Sequence, residues 1–174
     1  MRNTDNDWKI IGANEPYFGV LSNERFLKKN ITPQVLEEFY ASGTQDVSHM
    51  LNTLRLLLPE FCPKSALDFG CGVGRLLAPM SRNVDVAYGV DISDGMLAEL
   101  RYNFKGMGIR NFRLFNEIPN IEVDWVNSLI VLQHISSDFG YEIIHKLWSI
   151  LKVGGGFSVH FPIYRDRGHL HVLS

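Results

Sequence analysis

Of 174 residues, only Cys62 and Cys71 are cysteine. Two thiols make neither a disulfide framework nor a four-ligand zinc site. Reduced cysteines in a cytoplasmic protein are the simplest expectation. Long apolar runs are missing too. The most apolar stretches, around 54–58 and 129–132, fall far short of the ~20 residues a membrane-spanning helix needs. Residues 1–8 contain no signal-peptide core. Nor does one sign of charge dominate: 17 Lys+Arg face 19 Asp+Glu, a formal net charge of −2. That balance gives no global attraction to nucleic acid or to an anionic membrane. Internal repeats and low-complexity tracts are lacking. With 45% hydrophobic and 21% charged residues, disorder and collagen-like classes are excluded. A chain of this length buries roughly two thirds of its unfolded surface, so a core is expected.

What is present is a helical leader followed by alternating strand and helix patterns. Residues 1–31 carry the turn formers Gly12, Pro16 and Gly19 and predict loop with at most a short helix. Thr32-Pro33 reads as a helix start, because a Thr hydroxyl caps free amides and Pro at the first position loses no bond. Gly43 predicts its end, and a second helix is expected over 46–58. From Lys64 the period changes. Strands are predicted over 66–69, 84–90, 111–115, 123–131 and 157–161, with helices over 73–81, 94–104 and 141–151. Such alternation argues for an α/β fold: a Rossmann-like, doubly wound, mostly parallel sheet with helices on both faces. The expected division is a leader over 1–63 packed on a core over 64–174, one domain overall.

The informative stretch is Ala66-Leu-Asp-Phe-Gly-Cys-Gly-Val-Gly-Arg-Leu76. A strand ends at Asp68 and Phe69. Gly70, Gly72 and Gly74 follow at spacing two, and a helix is expected at once. Glycines there permit positive φ and close ligand approach, and amides at a helix start favour an electronegative group. A dinucleotide enzyme needs Gly-x-Gly-x-x-Gly, but its last Gly would fall on Arg75, which disfavours a nicotinamide-dependent oxidoreductase. Asp91, in Tyr88-Gly-Val-Asp-Ile-Ser93, closes the second strand, where a carboxylate accepts both hydroxyl protons of a ribose.

Together these residues resemble class I S-adenosylmethionine-dependent methyltransferases, from about 65 to 162. Leu67-Asp-Phe-Gly-Cys-Gly-Val-Gly74 is similar to that family's first motif, and Gly89-Val-Asp-Ile-Ser93 to its ribose motif. The run 123–135 resembles its fourth-strand motif, and Leu151-Lys-Val-Gly-Gly-Gly156 its approach to the fifth strand. The resemblance implies a methyltransferase (EC 2.1.1.-) that uses S-adenosyl-L-methionine and releases S-adenosyl-L-homocysteine. It implies that Asp68 holds the methionyl amine, directly or through water. The turn of Gly70, Gly72 and Gly74 would cradle the amino acid and ribose, and Asp91 would hold the ribose hydroxyls. Ile92 and Met96 would pack on the adenine, Glu117 and Ile118 would flank it, and Ser128 and Leu129 would approach the methyl group.

Other residues keep two readings. His134 is a candidate general base, or a packing residue. Trp8, Tyr17 and Phe18 form a lid over the cofactor, or pack into their own core. Arg75 pairs with a neighbouring acid, and Cys71 is a small turn residue rather than a nucleophile. His160, His169 and His171 lack a completing acid or Cys, so no metal site is expected. Balanced charge, and Asn127-Ser-Leu-Ile130 in place of the Asn-Pro-Pro-Tyr of amino-group nucleic-acid methylases, favour a small-molecule acceptor over nucleic acid. Members of the family usually carry seven strands, and 13 residues after Phe161 are too few for the last pair. An exposed fifth-strand edge would then invite association. The expectations are a truncated or short variant, a tail or homodimer covering that edge, or a cofactor-binding but catalytically silent protein acting with a partner.

Overall fold

The computed structural model describes residues 4–161. Its strands are β1 (Ser65–Phe69), β2 (Val86–Val90), β3 (Phe112–Phe115), β4 (Val123–Ser128) and β5 (Leu151–Val159). They form one sheet in the order β3-β2-β1-β4-β5, every neighbouring pair parallel. The helices are α1 (Thr4–Asn14), α2 (Pro16–Val20), α3 (Pro33–Leu57), α4 (Leu77–Ser81), α5 (Asp94–Gly106) and α6 (Ser137–Ser149). The Rossmann-like α/β reading holds. A central strand covered on both faces is buried along its length, as β1 is from Ser65 to Asp68.

Alternation along the strands sorts the core into layers. Ala66, Ala87 and Trp125 meet side chains of α3, α4 and α5, including Phe39, Leu51, Leu77, Met80 and Leu100. Leu67, Val90 and Val126 face the other way, onto Leu147 of α6 and Ile150. Two caps behave as expected: Thr32 Oγ1 accepts from the Val35 amide, and Ser93 Oγ from that of Met96.

Several boundaries differ from the sequence reading. Residues 4–20 are helical rather than mostly loop. Gly43 does not end a helix; α3 is one helix of 25 residues. A Cβ at 43 would collide with the Arg75 carbonyl oxygen, so the glycine serves close packing of α3 on the segment after β1. No helix begins directly after the glycine turn. Gly72 and Gly74 stand at φ 51° and 86°, outside helical geometry, and α4 starts only at Leu77. The amides that turn presents are therefore those of a loop. β4 ends at Ser128, three residues early, and Ile130 takes φ 61°. β5 starts at Leu151, with a register irregularity between Val123 and Trp125 absorbing the glycines. Residues 116–122, between β3 and β4, carry no helix. Trp148 of α6 is 62% exposed, its ring edge-on to Phe157.

Candidate functional site

Parallel strands end together at one rim of the sheet, which is where open α/β sheets bind ligands. Here that rim carries Asp68 and Phe69 of β1, Asp91 after β2, and Asn127 and Ser128 of β4. The turn after β1 crosses towards β2: the Gly70 and Cys71 amides both donate to the Val90 carbonyl, at 2.8 and 3.0 Å. From beneath, Tyr40 of α3 donates its hydroxyl to the Val73 carbonyl at 2.9 Å.

Asp91 is held by main chain. Its Oδ2 accepts from the Gly72 amide at 2.9 Å, and its Oδ1 from the Ser93 amide at 2.9 Å. Burial still raises its proton affinity, against the pull of those two amides. Asp68 is held by a side chain. It is 2% exposed, and Asn127 Nδ2 donates to its Oδ1 at 2.7 Å. Burial pushes its pKa up to about 7; the Asn127 bond and the Arg75 guanidinium lower it, and Asp91 raises it. Burial pushes the Cys71 thiol up as well, which keeps it protonated at neutral pH and suits a turn residue rather than a nucleophile. Arg75 is buried and bonds Asp46 at 2.7 Å and Ser42 at 3.1 Å. It therefore clamps α3 to the turn, while its Nε finds no partner.

The other expected residues scatter. Met96 is buried beneath the N-terminal helices, within reach of Gly12 and Gly19. Ile92 is half-buried beside Asp91. Glu117 is exposed, whereas Ile118 turns into the core beneath β2 and β4. Ser128 is fully buried and its Oγ has no partner. Leu129 packs against the cluster that holds Val47, Leu51 and Trp125 on the α3 side. His134 lies exposed, its ring 5.0 Å from Trp8 edge to face and its Nε2 3.1 Å from Gln133 Nε2. Among the described residues no cluster of His, Cys, Asp or Glu suits a metal ion, and His169 and His171 lie outside them.

The leader does more than pack on itself. Thr4 donates to the His134 carbonyl at 3.2 Å, and Gly12 lies against Ser93 and Met96. Tyr17 is buried on Phe39 and donates to Glu99 at 2.6 Å, while Asn103 donates to Tyr17 at 2.9 Å. Helices α1 and α2 thus bridge the end of β4 and the start of α5, across the crevice. Val20 reaches the glycine turn itself: a Cβ on Gly72 would come 2.6 Å from its Cγ2, and one on Gly70 would meet Val131. A cradle stripped of Cβ atoms, flanked by two carboxylates and a partnerless buried hydroxyl, fits an adenosyl ligand with an ammonium group.

Sequence reasoning missed Asn127, Val20 and Val131. Asn127 left a signal, as a carboxamide inside an otherwise apolar strand; the valines left none. Among the described residues no helix is long and apolar enough to cross a membrane.

Known proteins place the fold. The chain is similar to an S-adenosylmethionine-dependent methyltransferase from Clostridium acetobutylicum, with 23% identity and a TM-score of 0.57 over 66% of this chain and 48% of that one. It resembles the magnesium protoporphyrin IX methyltransferase of Synechocystis, with 23% identity and a TM-score of 0.57 over 84% and 72%. A third likeness is to an amino pentose methyltransferase from Micromonospora echinaspora, with 21% identity and a TM-score of 0.62 over 80% and 62%. The chain thus spans about half the length of the Clostridium protein. No curated protein sequence matches it. The profile of the methyltransferase domain matches residues 66–155, more than half of the chain and the whole of the glycine turn, β2 and β4, so this protein belongs to the methyltransferase domain family and carries the class I, S-adenosylmethionine-dependent methyltransferase fold.

Proposed function

We propose that the chain binds S-adenosylmethionine at the 70–74 turn and transfers its methyl group to a small-molecule acceptor. One observation carries this: three glycines at positive φ, Gly70, Gly72 and Gly74, stand between the carboxylates of Asp68 and Asp91. The cofactor, when bound, supplies an electrophilic sulfonium methyl that an acceptor nucleophile displaces in line, leaving S-adenosylhomocysteine.

The chain's own residues bind, orient and exclude water. Asp68 meets the ammonium of the methionyl part, a cation that favours the ionised carboxylate burial opposes. Each Asp91 oxygen has one main-chain donor and keeps a second acceptor position. Those positions take the ribose hydroxyls. Val20 and Val131 line the turn, and α1 and α2 cover the crevice and exclude water. Alignment of donor and acceptor in such a site contributes up to roughly 7–11 kcal/mol of barrier lowering. His134 is assigned no proton in this scheme, because Trp8 and Gln133 hold its ring. Balanced charge and the Asn127-Ser-Leu-Ile130 run support a small acceptor.

Cofactor binding without transfer is the second reading, favoured by β5 standing at the edge of a five-stranded sheet among the described residues. Calorimetric titration with S-adenosylmethionine, S-adenosylhomocysteine and NAD tests both: binding of the first two and not the third is expected. Stronger binding of NAD would sink both. Formation of S-adenosylhomocysteine on incubation with a metabolite pool supports transfer; binding without it supports the second reading.

A further inference from the structure

A row of polar side chains runs across the sheet behind Asp68. Asp68 of β1 pairs in register with Asn127 of β4, and Asn127 with Ser158 of β5. Residues level with one another in a parallel ladder point to the same face, here the face covered by α3. Trp125, two positions before Asn127, shares it. The hydrogen bonds follow this geometry. The Trp125 indole N–H donates to Ser158 Oγ at 2.9 Å. Ser158 Oγ donates to Asn127 Oδ1 at 2.8 Å. Asn127 Nδ2 donates to Asp68 Oδ1 at 2.7 Å.

The direction of this chain is fixed by its ends. An indole nitrogen only donates, and an ionised carboxylate only accepts. Each link between them therefore passes a hydrogen towards Asp68, and reversing the Asn127 amide would set its oxygen against the Asp68 carboxylate, acceptor against acceptor. Trp125 and Asn127 are both fully buried, so every group must find its partner inside the protein. Among the described residues no donor reaches Asp68 Oδ2, the oxygen left for a ligand.

We infer that Asn127, backed by Ser158 and Trp125, is a positioning residue that favours the charged form of the Asp68 carboxylate and leaves Oδ2 for the ammonium of the cofactor. This deepens the reading in which Asp68 meets that ammonium, and rests on it. Other groups face Asp68 from the neighbouring elements. The Arg75 guanidinium favours its charge, Asp91 opposes it, and the Cys71 thiol is neutral. Arg75 is itself committed to Asp46, so Asn127 is the one side chain that bonds Asp68 directly among the described residues. A purely structural network would stabilise the sheet equally well with Asp68 protonated at Oδ2. The proposed role requires the charge.

The test is carbon-13 NMR titration of the Asp68 carboxyl in the ligand-free chain, assigned by its loss in Asp68→Asn. Asn127→Leu should move the midpoint up by about one pH unit or more. Ser158→Ala should move it less, and Trp125→Phe least, all in the same direction. An Asn127→Leu midpoint equal to that of the unaltered chain overturns the inference. If Asn127→Leu does not fold, Ser158→Ala decides: an upward shift supports the inference and an unchanged midpoint overturns it. Titration with S-adenosylhomocysteine separates this from the underlying reading. Asn127→Leu should bind about fivefold or more weakly at pH 7 and regain affinity at pH 9. An unaltered chain that binds no S-adenosylhomocysteine overturns the cofactor reading, while the ligand-free titration still decides whether Asn127 sets the charge.

Discussion

Asp68 and Asp91 end neighbouring strands, yet the two sides of the crevice are built by different means. On the β2 side, main-chain amides two residues on and across the turn hold Asp91. On the β4 side, a carboxamide from another strand holds Asp68. A carboxylate fixed by backbone tolerates changes in its neighbours' side chains, since every residue but proline has the N–H. One fixed by a side chain depends on that side chain and on whatever orients it. The first side is therefore robust and the second tunable. Burial raises proton affinity on both.

The largest expected effect breaks the comparison at Asp68. A carboxyl whose folded-state pKa is raised favours folding below its unfolded value, near 4. That contribution is lost as pH rises through the folded value of about 7. Asp68→Asn keeps an acceptor for Asn127 and removes the buried charge. It should gain on the order of 2–4 kcal/mol relative to the unaltered chain between pH 4 and pH 8 while losing cofactor affinity, as measured by denaturant melts and calorimetry at both pH values. A gain independent of pH would remove Asp68 from the titrating groups.

Asp91→Ala strips the other side of its acceptor. Binding of S-adenosylmethionine should weaken by about 1–3 kcal/mol through lost charged hydrogen bonds, and unchanged calorimetric affinity would refute the ribose assignment. Tyr17→Phe cuts the ties to Glu99 and Asn103 that pin α2 to α5. A loss of about 1–2 kcal/mol is expected, with faster proteolytic cleavage around residues 14–22; equal cleavage rates would show that α1 and α2 are secured elsewhere.

The smallest effect belongs to Asp124, at the opposite end of the strands. It accepts from the Lys64 and Ser65 amides, the Ser65 hydroxyl and Lys152. Burial alone would raise its pKa, but Lys152 and the other donors bring it below the ordinary value. Its contribution is present above about pH 4 and lost as pH falls through the depressed value. Because the pair is partly exposed, Asp124→Asn should cost under about 1 kcal/mol at neutral pH and nothing in strong acid. A cost that persists at acid pH would mean that packing, not charge, is lost.

The same contrast governs what could be read from sequence. Asp91, the glycines and the Ser93 cap interact over short chain distances or through backbone, so their spacing announces them. The β2 and α5 positions followed from local pattern to within two residues. Asn127, Ser158 and Trp125 meet Asp68 only through strand register, which needs the sheet order. Gly43 was misread because its use, contact with the Arg75 carbonyl, lies 32 residues away and looks like a helix stop. The helices over 4–20 escaped because packing on α5, rather than local propensity, holds them.

The two valines over the glycine turn have a thermodynamic consequence. On the proposed reading, a ligand laid on the bare backbone competes with those methyl groups for the space beside Gly70 and Gly72. Where the methyl groups must move for the ligand to enter, its dissociation constant is the intrinsic one divided by the fraction of copies in which they have moved. Trimming Val20 to alanine should then tighten S-adenosylhomocysteine binding without adding an interaction.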